Sequence, residues 1–469
     1  MTTVLSIDQG TSGTKAIVVG PAGRIAGTAE RAVRPRYAPG GAVEQDPEAL
    51  LRSVIEAGRE AVARAGLPVG VVTLANQGET VLAWDPRTGR PLSDMIVWQD
   101  RRAESICAGL DDQRQTFAAR TGLVLDPYFS APKMAWLRAH VTREGVVTTS
   151  DSWLLHRLTG AFVTDASTAG RSLITGLDTA AWDPELLALF GLDAEPLPEI
   201  VSCDALVGTT DAFGGTLPVG GLVVDQQAAL AGGGCLAPGD LKCTFGTGAF
   251  LLANTGAGAT RSRTGLAASV AWRVRGRTTY CLDGQVYAAA AAVRWMQRLG
   301  LAGPAAELDR VAAPDAGGVL AVPSLAGLAA PWWRPDATAS LTGMTLSTTA
   351  GHLVTAVLQG IAAQVAELGD AVARDLGRPL TRLRADGGLT GCRTLMQAVA
   401  DVMQLPVEVF PSPHGTALGA AAFARMSVAP DLSLADAVIP WTPRVVHTPR
   451  WNAERAAAFR EQWRRAALG

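Results

Sequence analysis

The feature that most constrains the fold of this chain is a β-hairpin predicted at its N-terminus. Two short apolar runs rich in β-branched residues, 4–7 and 16–19, flank a turn made of Gly, Ser and Thr. Apolar runs on both sides of such a turn are typical of two antiparallel strands. Gly10 and Gly13 let the backbone point its N–H groups into one concavity. The hairpin therefore offers a small anion-binding tip.

The side chains of this tip suit a chain of phosphates. Thr11, Ser12 and Thr14 carry hydroxyl donors, and Lys15 adds a cation. Asp8, at the end of the first strand, is placed to hold a hydrated Mg²⁺ beside such phosphates. A polar surface turn would have the same composition, so the hairpin alone leaves both interpretations open.

Length and composition restrict the class of protein. A chain of 469 residues is too long for one hydrophobic core and predicts two large domains. Its 48% hydrophobic content indicates a folded protein, and its net charge of −2 gives no support to nucleic acid or anionic lipid as a partner. The six cysteines contain no C-x-x-C pair, and the sequence shows no secretory signal and no membrane-spanning run. We therefore expect a soluble, cytoplasmic protein without a nucleic-acid or membrane partner.

Lysine is rare in this sequence. Only three of the 41 basic residues are lysines, namely Lys15, Lys133 and Lys242. A strong bias toward arginine carries no function by itself. Against that background, we expect each lysine where a compact ammonium suits the site better than a planar guanidinium.

A second Gly/Thr turn opens the other half of the chain. The strand-like run 241–245 leads into Gly246, Thr247 and Gly248, and another apolar run follows. Helix-like and strand-like segments alternate along the whole sequence, which indicates an α/β protein. Because a strand, a Gly/Thr turn and a second strand begin each half, we predict two structurally similar domains. Their predicted bounds are 1–230 and 231–469, with a hinge in the Gly-rich stretch 231–239.

Three further predicted strands end in polar residues. The runs 69–75, 95–98 and 222–224 lead toward Glu79, Gln99 and Asp225, and catalytic side chains often follow strands in this way. A third Gly-rich turn, with Gly388 as its second glycine, precedes a helix predicted from about 393 to 403. A helix N-terminus behind such a turn is an anion site, although most Gly-Gly turns are only helix caps.

These features combine into a known pattern. Three Gly/Thr turns in two similar halves, without a Gly-x4-Gly-Lys-Ser/Thr loop, match the actin-like ATPase plan, in which two domains clasp a nucleotide. The sequence resembles the FGGY carbohydrate kinases along nearly its whole length, and within that family the glycerol kinases most. The segments that carry the resemblance are 8–11, 76–77, 79–80, 96–99, 101–102, 126–130, 225–230, 245–248, 330–332, 339–344 and 352–359.

The resemblance implies a fold and an activity. The expected fold is α/β, with two similar actin-like ATPase (ribonuclease H-like) domains and the active site in the cleft between them. The expected activity is ATP-dependent and Mg²⁺-requiring transfer of the γ-phosphoryl group to a terminal hydroxyl of a small polyol or related sugar. Asp225 is implied to be the general base that takes the proton of that hydroxyl.

The resemblance also assigns binding roles. Asp8 is implied to organise the Mg²⁺. The residues implied to contact the sugar or polyol are Gly78, Glu79, Trp98, Tyr128, Asp225 and Gln226. The residues implied to contact ATP are Thr11, Ser12, Gly13, Lys15, Thr247, Ala290, Arg294, Gly388 and Cys392. A carboxylate, a phenol and an amide can bind hydroxyls, while an indole packs against a carbon chain.

Four positions depart from the family pattern. Glycerol kinases usually carry an Arg where this chain has Gly78, and losing a charged donor costs about 1.5–3 kcal/mol of binding. We therefore expect glycerol to bind poorly unless another donor reaches in, and we expect Gly78→Arg to improve its use. Near the nucleotide, Ala290, Arg294 and Cys392 stand where the family has Gly, Gln and Asn, which leaves the contacts to adenine open.

The sequence leaves alternatives for the substrate and the class. The turn at 10–15 is more similar to that of pentulose kinases, so a xylulose or ribulose kinase is an alternative. A non-catalytic sugar-binding regulator on the same scaffold is another, but it would need no base aligned with a magnesium site. An actin-like or chaperone ATPase would not need a pocket of Glu79, Trp98 and Tyr128. The oligomeric state is also open, with a homodimer as one option.

Overall fold

Two seven-stranded sheets organise the protein, one in each half of the chain. The computed structural model describes residues 1–304 and 307–469. Within that part of the chain, no helix is both long enough and apolar enough to span a bilayer.

The first half contains sixteen strands and eight helices. The strands are β1 (Val4–Gly10), β2 (Gly13–Val19), β3 (Ile25–Ala32), β4 (Arg36–Ala38), β5 (Ala42–Gln45), β6 (Val71–Asn76), β7 (Val81–Trp84), β8 (Met95–Ile96), β9 (Val146–Thr149), β10 (Val163–Asp165), β11 (Thr175–Gly176), β12 (Ala181–Trp182), β13 (Glu199–Val201), β14 (Leu206–Thr210), β15 (Leu217–Gly220) and β16 (Val223–Val224). The helices are α1 (Pro47–Ala65), α2 (Glu104–Ala108), α3 (Arg114–Thr121), α4 (Ser130–His140), α5 (Ser150–Thr159), α6 (Ala166–Ala169), α7 (Pro184–Leu189) and α8 (Asp225–Gly232).

The second half is described by nine strands and seven helices outside residues 305–306. The strands are β17 (Leu241–Phe245), β18 (Ala249–Gly256), β19 (Ala267–Val274), β20 (Arg277–Val286), β21 (Leu320–Val322), β22 (Ser340–Thr342), β23 (Leu383–Asp386), β24 (Val407–Val409) and β25 (Val445–His447). The helices are α9 (Ala290–Arg298), α10 (Leu308–Val311), α11 (Ala350–Leu376), α12 (Arg393–Met403), α13 (Gly415–Val428), α14 (Leu434–Ala437) and α15 (Ala453–Leu468).

The N-terminal hairpin lies inside the first large sheet, whose strand order is β14-β15-β6-β1-β2-β3, with β16 also paired to β6. β1 and β2 are antiparallel, and Gly10 faces Gly13 across the loop formed by Thr11 and Ser12. β6 joins the other side of β1 in parallel. The predicted hairpin is confirmed, and the sheet fixes its position through both strands.

The second large sheet repeats this arrangement, with the strand order β19-β20-β18-β17-β23-β24-β25. β17 and β18 are antiparallel and are joined at Gly246, Thr247 and Gly248, while β23 joins β17 in parallel. Each half therefore contains an antiparallel hairpin flanked by a parallel strand. The predicted second hairpin is confirmed, as is the predicted helix at 393–403, which is α12.

Helices α8 and α13 cross between the two sheets. A Cβ atom on Gly419 would lie 1.8 Å from the carbonyl oxygen of Ala228, and one on Gly232 would lie 2.2 Å from that of Gly415. Because any side chain there would clash, glycine allows the two helices to approach this closely. α13 also packs against β1 and β6, so a helix of the second half covers the sheet of the first.

The predicted hinge differs in part from the structure. Ala231 and Gly232 are the last residues of α8 and are buried, so the start of the Gly-rich stretch is helical and not a loop. The crossing with α13 explains this, because it requires a small residue inside a helix. The predicted domain bounds of 1–230 and 231–469 remain a prediction.

Candidate active site

A cleft of about 600 Å³ is lined by residues of both halves. It contains ten of the sixteen residues that the sequence singled out as a site. These are Thr11, Ser12, Gly78, Glu79, Trp98, Tyr128, Asp225, Gln226, Thr247 and Arg294. The structure therefore brings the core of the predicted set together, while the role of each residue stays a prediction.

Asp225 is the first residue of α8, directly after β16. Its Oδ1 accepts a hydrogen bond of 2.6 Å from the backbone N–H of Gln226. Burial, together with the negative charges of Asp8 and Glu79, raises the pKa of Asp225 to about 7. A carboxyl group with such a pKa can take a proton from a hydroxyl at neutral pH and release it again.

The tip of the first hairpin is fixed by two hydrogen bonds. Trp98 Nε1 donates to Thr11 Oγ1 at 2.8 Å, and Gln45 Nε2 donates to the carbonyl oxygen of Thr11 at 2.6 Å. Because the Thr11 hydroxyl oxygen accepts from the indole, its own proton remains available to an acceptor in the cleft. The strand predicted over 95–98 is shorter than expected and ends at Ile96.

Thr14 and Gly13 stabilise the hairpin and do not line the cleft. The Thr14 side chain is buried, and its hydroxyl pairs with that of Ser53 at 2.7 Å. Thr14 therefore does not line the cleft, in contrast to its predicted place among the donors of the tip. A Cβ on Gly13 would lie 2.5 Å from the carbonyl oxygen of Arg31, so this turn requires glycine.

Asp8 and Lys15 are paired across the hairpin. Burial raises the pKa of Asp8 to about 6, Lys15 opposes this shift, and the nearby Asp386 adds to it. Asp386 ends β23 and accepts a hydrogen bond of 2.5 Å from Thr244. The third Gly-rich turn thus brings a second carboxylate, which the sequence analysis missed, close to Asp8.

The other two lysines of the chain, Lys133 and Lys242, are buried. Lys133 Nζ donates to three successive carbonyl oxygens, those of Pro127, Tyr128 and Phe129, at 2.9, 2.6 and 2.6 Å. A tetrahedral ammonium can direct its donors to three such oxygens, whereas a guanidinium is planar. Lys242 donates to Gln226 Oε1 at 3.0 Å. These contacts agree with the expectation for the rare lysines, and Lys133 fixes the turn that carries Tyr128.

A buried chain of three charged groups borders the cleft. Arg171 Nε donates to Glu79 Oε1 at 2.6 Å, and Arg171 Nη1 donates to Asp283 Oδ1 at 2.9 Å. The exposed fractions of Glu79, Arg171 and Asp283 are 5%, 4% and 6%. Glu79 has a φ of 58°, in the left-handed region that non-glycine residues rarely adopt. Residues with such a strained backbone cluster at active sites and ligand-binding positions, which makes Glu79 a candidate functional residue.

Arg171 and Asp283 are functional candidates that the sequence analysis missed. Arg171 lies 92 residues after Glu79 in the chain, so no local pattern connects them. Asp283 had a detectable signal, because it is a carboxylate within the otherwise uncharged segment 280–286. Among the described residues, Arg171 Nη2 has no hydrogen-bond partner. Arg171 also lines the cleft, so it is a candidate for the additional donor that we expected in the absence of an arginine at position 78.

The second half contributes the turn at Thr247, whose side chain is exposed. The backbone N–H of Ala290 donates to the carbonyl oxygen of Gly246 at 3.1 Å, so the start of α9 supports this turn. Arg294, one turn further along α9, is exposed and lines the cleft. Ala290 thus acts here through its backbone, whereas Arg294 presents its side chain at the cleft.

Two residues predicted to contact ATP, Gly388 and Cys392, are not among the residues that line the cleft. A Cβ on Gly388 would have no heavy atom within 4 Å, so this residue faces open space. Cys392 is buried, and its Sγ donates to Asp309 Oδ1 at 3.6 Å. The structure therefore does not bring the Cys392 side chain to the cleft, and the predicted contact of this residue with ATP remains untested.

Comparison with known proteins decides the family. Residues 3–232 match the N-terminal domain of the FGGY family of carbohydrate kinases, and residues 241–428 match its C-terminal domain. The chain belongs to the FGGY family of carbohydrate kinases. The resemblance to this family that the sequence motifs indicated is confirmed.

Individual relatives of this FGGY kinase cover almost its whole length. The glycerol kinase of Trichlorobacter lovleyi is 41% identical over 486 aligned residues, which are 99% of this chain and 98% of that protein. The glycerol kinase of Thermus brockianus is 42% identical, with 99% and 97% covered. The Plasmodium falciparum glycerol kinase structure with ADP has a TM-score of 0.91 at 29% identity and covers 100% of this chain and 99% of that one. For the xylulose kinase of Rhodospirillum rubrum the TM-score is 0.86 at 25% identity, with 99% and 98% covered. The predicted fold is confirmed.

Membership in this family defines the chemistry. The FGGY kinase is a phosphotransferase that acts on an alcohol group, with ATP and Mg²⁺ as cofactors. Mg²⁺ prefers oxygen ligands and keeps several waters, so one or two carboxylates beside the phosphates are sufficient. Asp8 and Asp386 are half-buried carboxylates close to the hairpin tip, and both therefore fit the ion.

Proposed function

We propose that this FGGY kinase transfers the γ-phosphoryl group of ATP to a terminal hydroxyl of a small neutral polyol of the glycerol type. The observation that carries the proposal is the position of Asp225, which lines one cleft together with Glu79 of the pocket and Thr11 of the phosphate hairpin. A pKa of about 7 suits Asp225 for proton transfer at neutral pH. The curated glycerol kinases at 41% and 42% identity support the same class of acceptor.

The charges of the pocket favour a neutral substrate. Glu79 and Asp225 present carboxylates to the cleft, whereas Asp283, which also lines it, is ion-paired with Arg171. The two other arginines of the lining, Arg34 and Arg294, are exposed. Carboxylates accept hydrogen bonds from hydroxyls and repel anions, so sugar acids and sugar phosphates are disfavoured. Several hydroxyl groups can be bound at once, which is the property that polyols and ketoses share.

Aromatic rings provide the apolar wall of the pocket. The ring centroid of Trp98 lies 5.6 Å from that of Tyr128 and 5.9 Å from that of Phe250, both edge to face. Phe250 comes from β18 of the second half, so both halves contribute to this wall. Such rings pack against the carbon chain of a polyol while the polar groups bind its hydroxyls.

The reaction is a direct transfer between two oxygen atoms. Asp225 takes the proton of the acceptor hydroxyl as its oxygen bonds to the γ-phosphorus, and the bond from that phosphorus to the bridging oxygen of ADP breaks. Thr11, Ser12 and Lys15 are proposed to bind the phosphates from one side, and Thr247 from the other. Asp8 is proposed to hold Mg²⁺, which neutralises phosphate charge when bound.

A pentulose is the second candidate acceptor. Gly78 lacks the arginine side chain of glycerol kinases, and the space beside Glu79 can accept a longer carbon chain. The likeness to the xylulose kinase of Rhodospirillum rubrum, at a TM-score of 0.86, is in line with this option. Both candidates use the same base and the same phosphate hairpin, and they differ in the length of the acceptor and in the carbonyl group that a pentulose carries.

An ADP-release assay over glycerol, tetritols, pentitols, xylulose and ribulose tests the proposal. We expect the highest kcat/KM with a neutral polyol, and we expect no turnover of gluconate or glycerol phosphate. A highest kcat/KM with xylulose or ribulose would favour the second candidate. Activity on none of these acceptors would contradict both. Fractionation of producing cells and size-exclusion chromatography test the proposed cytoplasmic location and the homodimer option.

A further inference from the structure

We infer that Asp283 is a positioning residue that couples binding of the polyol to binding of the nucleotide. Asp283 acts through Arg171, which in turn holds Glu79 of the polyol pocket. The inference rests on the proposed function, because it assumes that a polyol binds at Glu79. It assigns a role to a carboxylate that takes no part in the transfer itself.

The ion pair between Arg171 and Asp283 connects the two halves of the chain. Arg171 and Glu79 belong to the first half, whereas Asp283 lies on β20 of the second. The guanidinium reaches both carboxylates at hydrogen-bond distance, and side-chain exposure is below a tenth for all three groups. A buried ion pair is screened little by solvent, so breaking it without replacement is costly. The position of Asp283 is therefore tied to that of Glu79.

Strand β20 continues from Asp283 to the nucleotide turn. It pairs with β18, where Asp283 faces Leu252 and Val286 faces Ala249. Ala249 is the first residue of β18, immediately after the turn that contains Thr247. Just beyond β20, the backbone N–H of Ala289 donates to the carbonyl oxygen of Thr247 at 3.0 Å. One strand thus connects the polyol pocket with the turn that faces the phosphates.

This connection has a thermodynamic consequence. A polyol hydroxyl bound between Glu79 and Arg171 stabilises the arrangement in which Asp283 completes the ion-pair chain. That arrangement also places Thr247, so the nucleotide binds more tightly when the polyol is present. By linkage, the nucleotide must tighten binding of the polyol by the same factor. Such coupling favours transfer to the polyol over transfer to water.

A matched control is available in the same protein. Arg261 and Asp178 also form an ion pair between the two halves, at 2.5 Å, but the Asp178 side chain is 66% exposed and lies outside the cleft lining. Asp178→Asn therefore makes the same chemical change as Asp283→Asn at another contact between the halves. Asp283→Asn is expected to fold, because Glu79 and Arg171 remain as a balanced pair.

The test measures the affinity for glycerol by calorimetry, with and without a non-hydrolysable ATP analogue and Mg²⁺. If the polyol panel identifies a better acceptor, that acceptor replaces glycerol. In the wild type we expect the analogue to lower the Kd of the acceptor by about fivefold or more, the low end of typical coupling. Asp178→Asn should keep this factor. Asp283→Asn should bring it close to one while changing the acceptor Kd without nucleotide much less.

Three outcomes would contradict the inference. They are a wild type without coupling, full coupling in Asp283→Asn, and loss of coupling in Asp178→Asn as well. Should Asp283→Asn fail to fold, Asp283→Glu keeps the charge but displaces the carboxylate, and it should reduce the coupling factor. A wild type that phosphorylates no polyol in the panel would instead contradict the proposed function, so the two failures are distinguishable.

Discussion

Replacing Lys133 by Met tests how the pocket is held in place. The ammonium of Lys133 makes three hydrogen bonds, at 2.9, 2.6 and 2.6 Å, to the carbonyl oxygens of Pro127, Tyr128 and Phe129. Burial lowers the pKa of Lys133 to about 8, so the group is largely protonated at pH 7. Methionine fills a similar volume but cannot donate a hydrogen bond. The substitution therefore leaves three buried carbonyl groups without their partner.

The expected loss can be worked out from these contacts. A buried acceptor without its partner costs about 1–3 kcal/mol. Three acceptors at the low end of that range give about 3 kcal/mol of unfolding free energy, to be measured by urea denaturation at pH 7. Because the same turn carries Tyr128 into the cleft, we also expect the polyol KM to rise about tenfold, which corresponds to ~1.4 kcal/mol. The KM for ATP should change little.

Two further variants make this test specific. Lys133→Arg keeps the charge but has a planar donor group, so its KM for the polyol should stay above the wild-type value, as in Lys133→Met. Arg143→Met removes an exposed cation shortly after α4 and should change the unfolding free energy by less than about 0.5 kcal/mol. An unchanged denaturation midpoint together with an unchanged polyol KM in Lys133→Met would refute the reasoning.

Three other predictions concern the cleft. Trp98→Phe removes the hydrogen-bond donor to Thr11 Oγ1 and should lower kcat about tenfold, the effect of one lost hydrogen bond. An ADP-release assay at saturating ATP and polyol measures kcat. An unchanged kcat would contradict a role of this hydrogen bond in the reaction. The pKa of Asp225 is raised to about 7, and only its deprotonated form can act as the base. We therefore expect kcat/KM for the polyol to rise roughly tenfold from pH 6 to pH 8. A kcat/KM that does not change with pH would exclude Asp225 as the titrating base. A Cβ on Gly78 would meet only Val224 Cγ2, at 3.0 Å, so Gly78→Arg needs a small shift of Val224 and adds a donor beside Glu79. We expect kcat/KM to rise for glycerol relative to longer polyols, and an unchanged ratio would show that this position does not set the size of the acceptor.

Local patterns in the sequence predicted much of the framework. The hairpin at β1 and β2, its counterpart at β17 and β18, and helix α12 all follow from short-range periodicity and turn residues. Thr14 shows where a local pattern was insufficient. Successive strand residues point to opposite faces of a sheet, so the donors of the turn could not all face the same ligand.

Contacts between distant segments could not be predicted in this way. Arg171 and Asp283 are 112 residues apart, and only the packing of the two halves brings them together. Gly232 appeared in a glycine run that is typical of a loop, yet it is helical because α8 must approach α13 closely at Gly419. Both differences arise where the two halves meet, since sequence patterns describe each segment alone.

The role of Asp225 as the base of a polyol kinase is tested most directly by Asp225→Asn. The variant keeps the size of the side chain and removes its ability to take a proton. Its kcat with the best acceptor should fall by about 100-fold or more, the low end of the contribution of a general base. The Kd of ATP, measured by calorimetry, should remain nearly unchanged. A variant with wild-type kcat and intact ATP binding would contradict the assignment of Asp225 and the mechanism built on it.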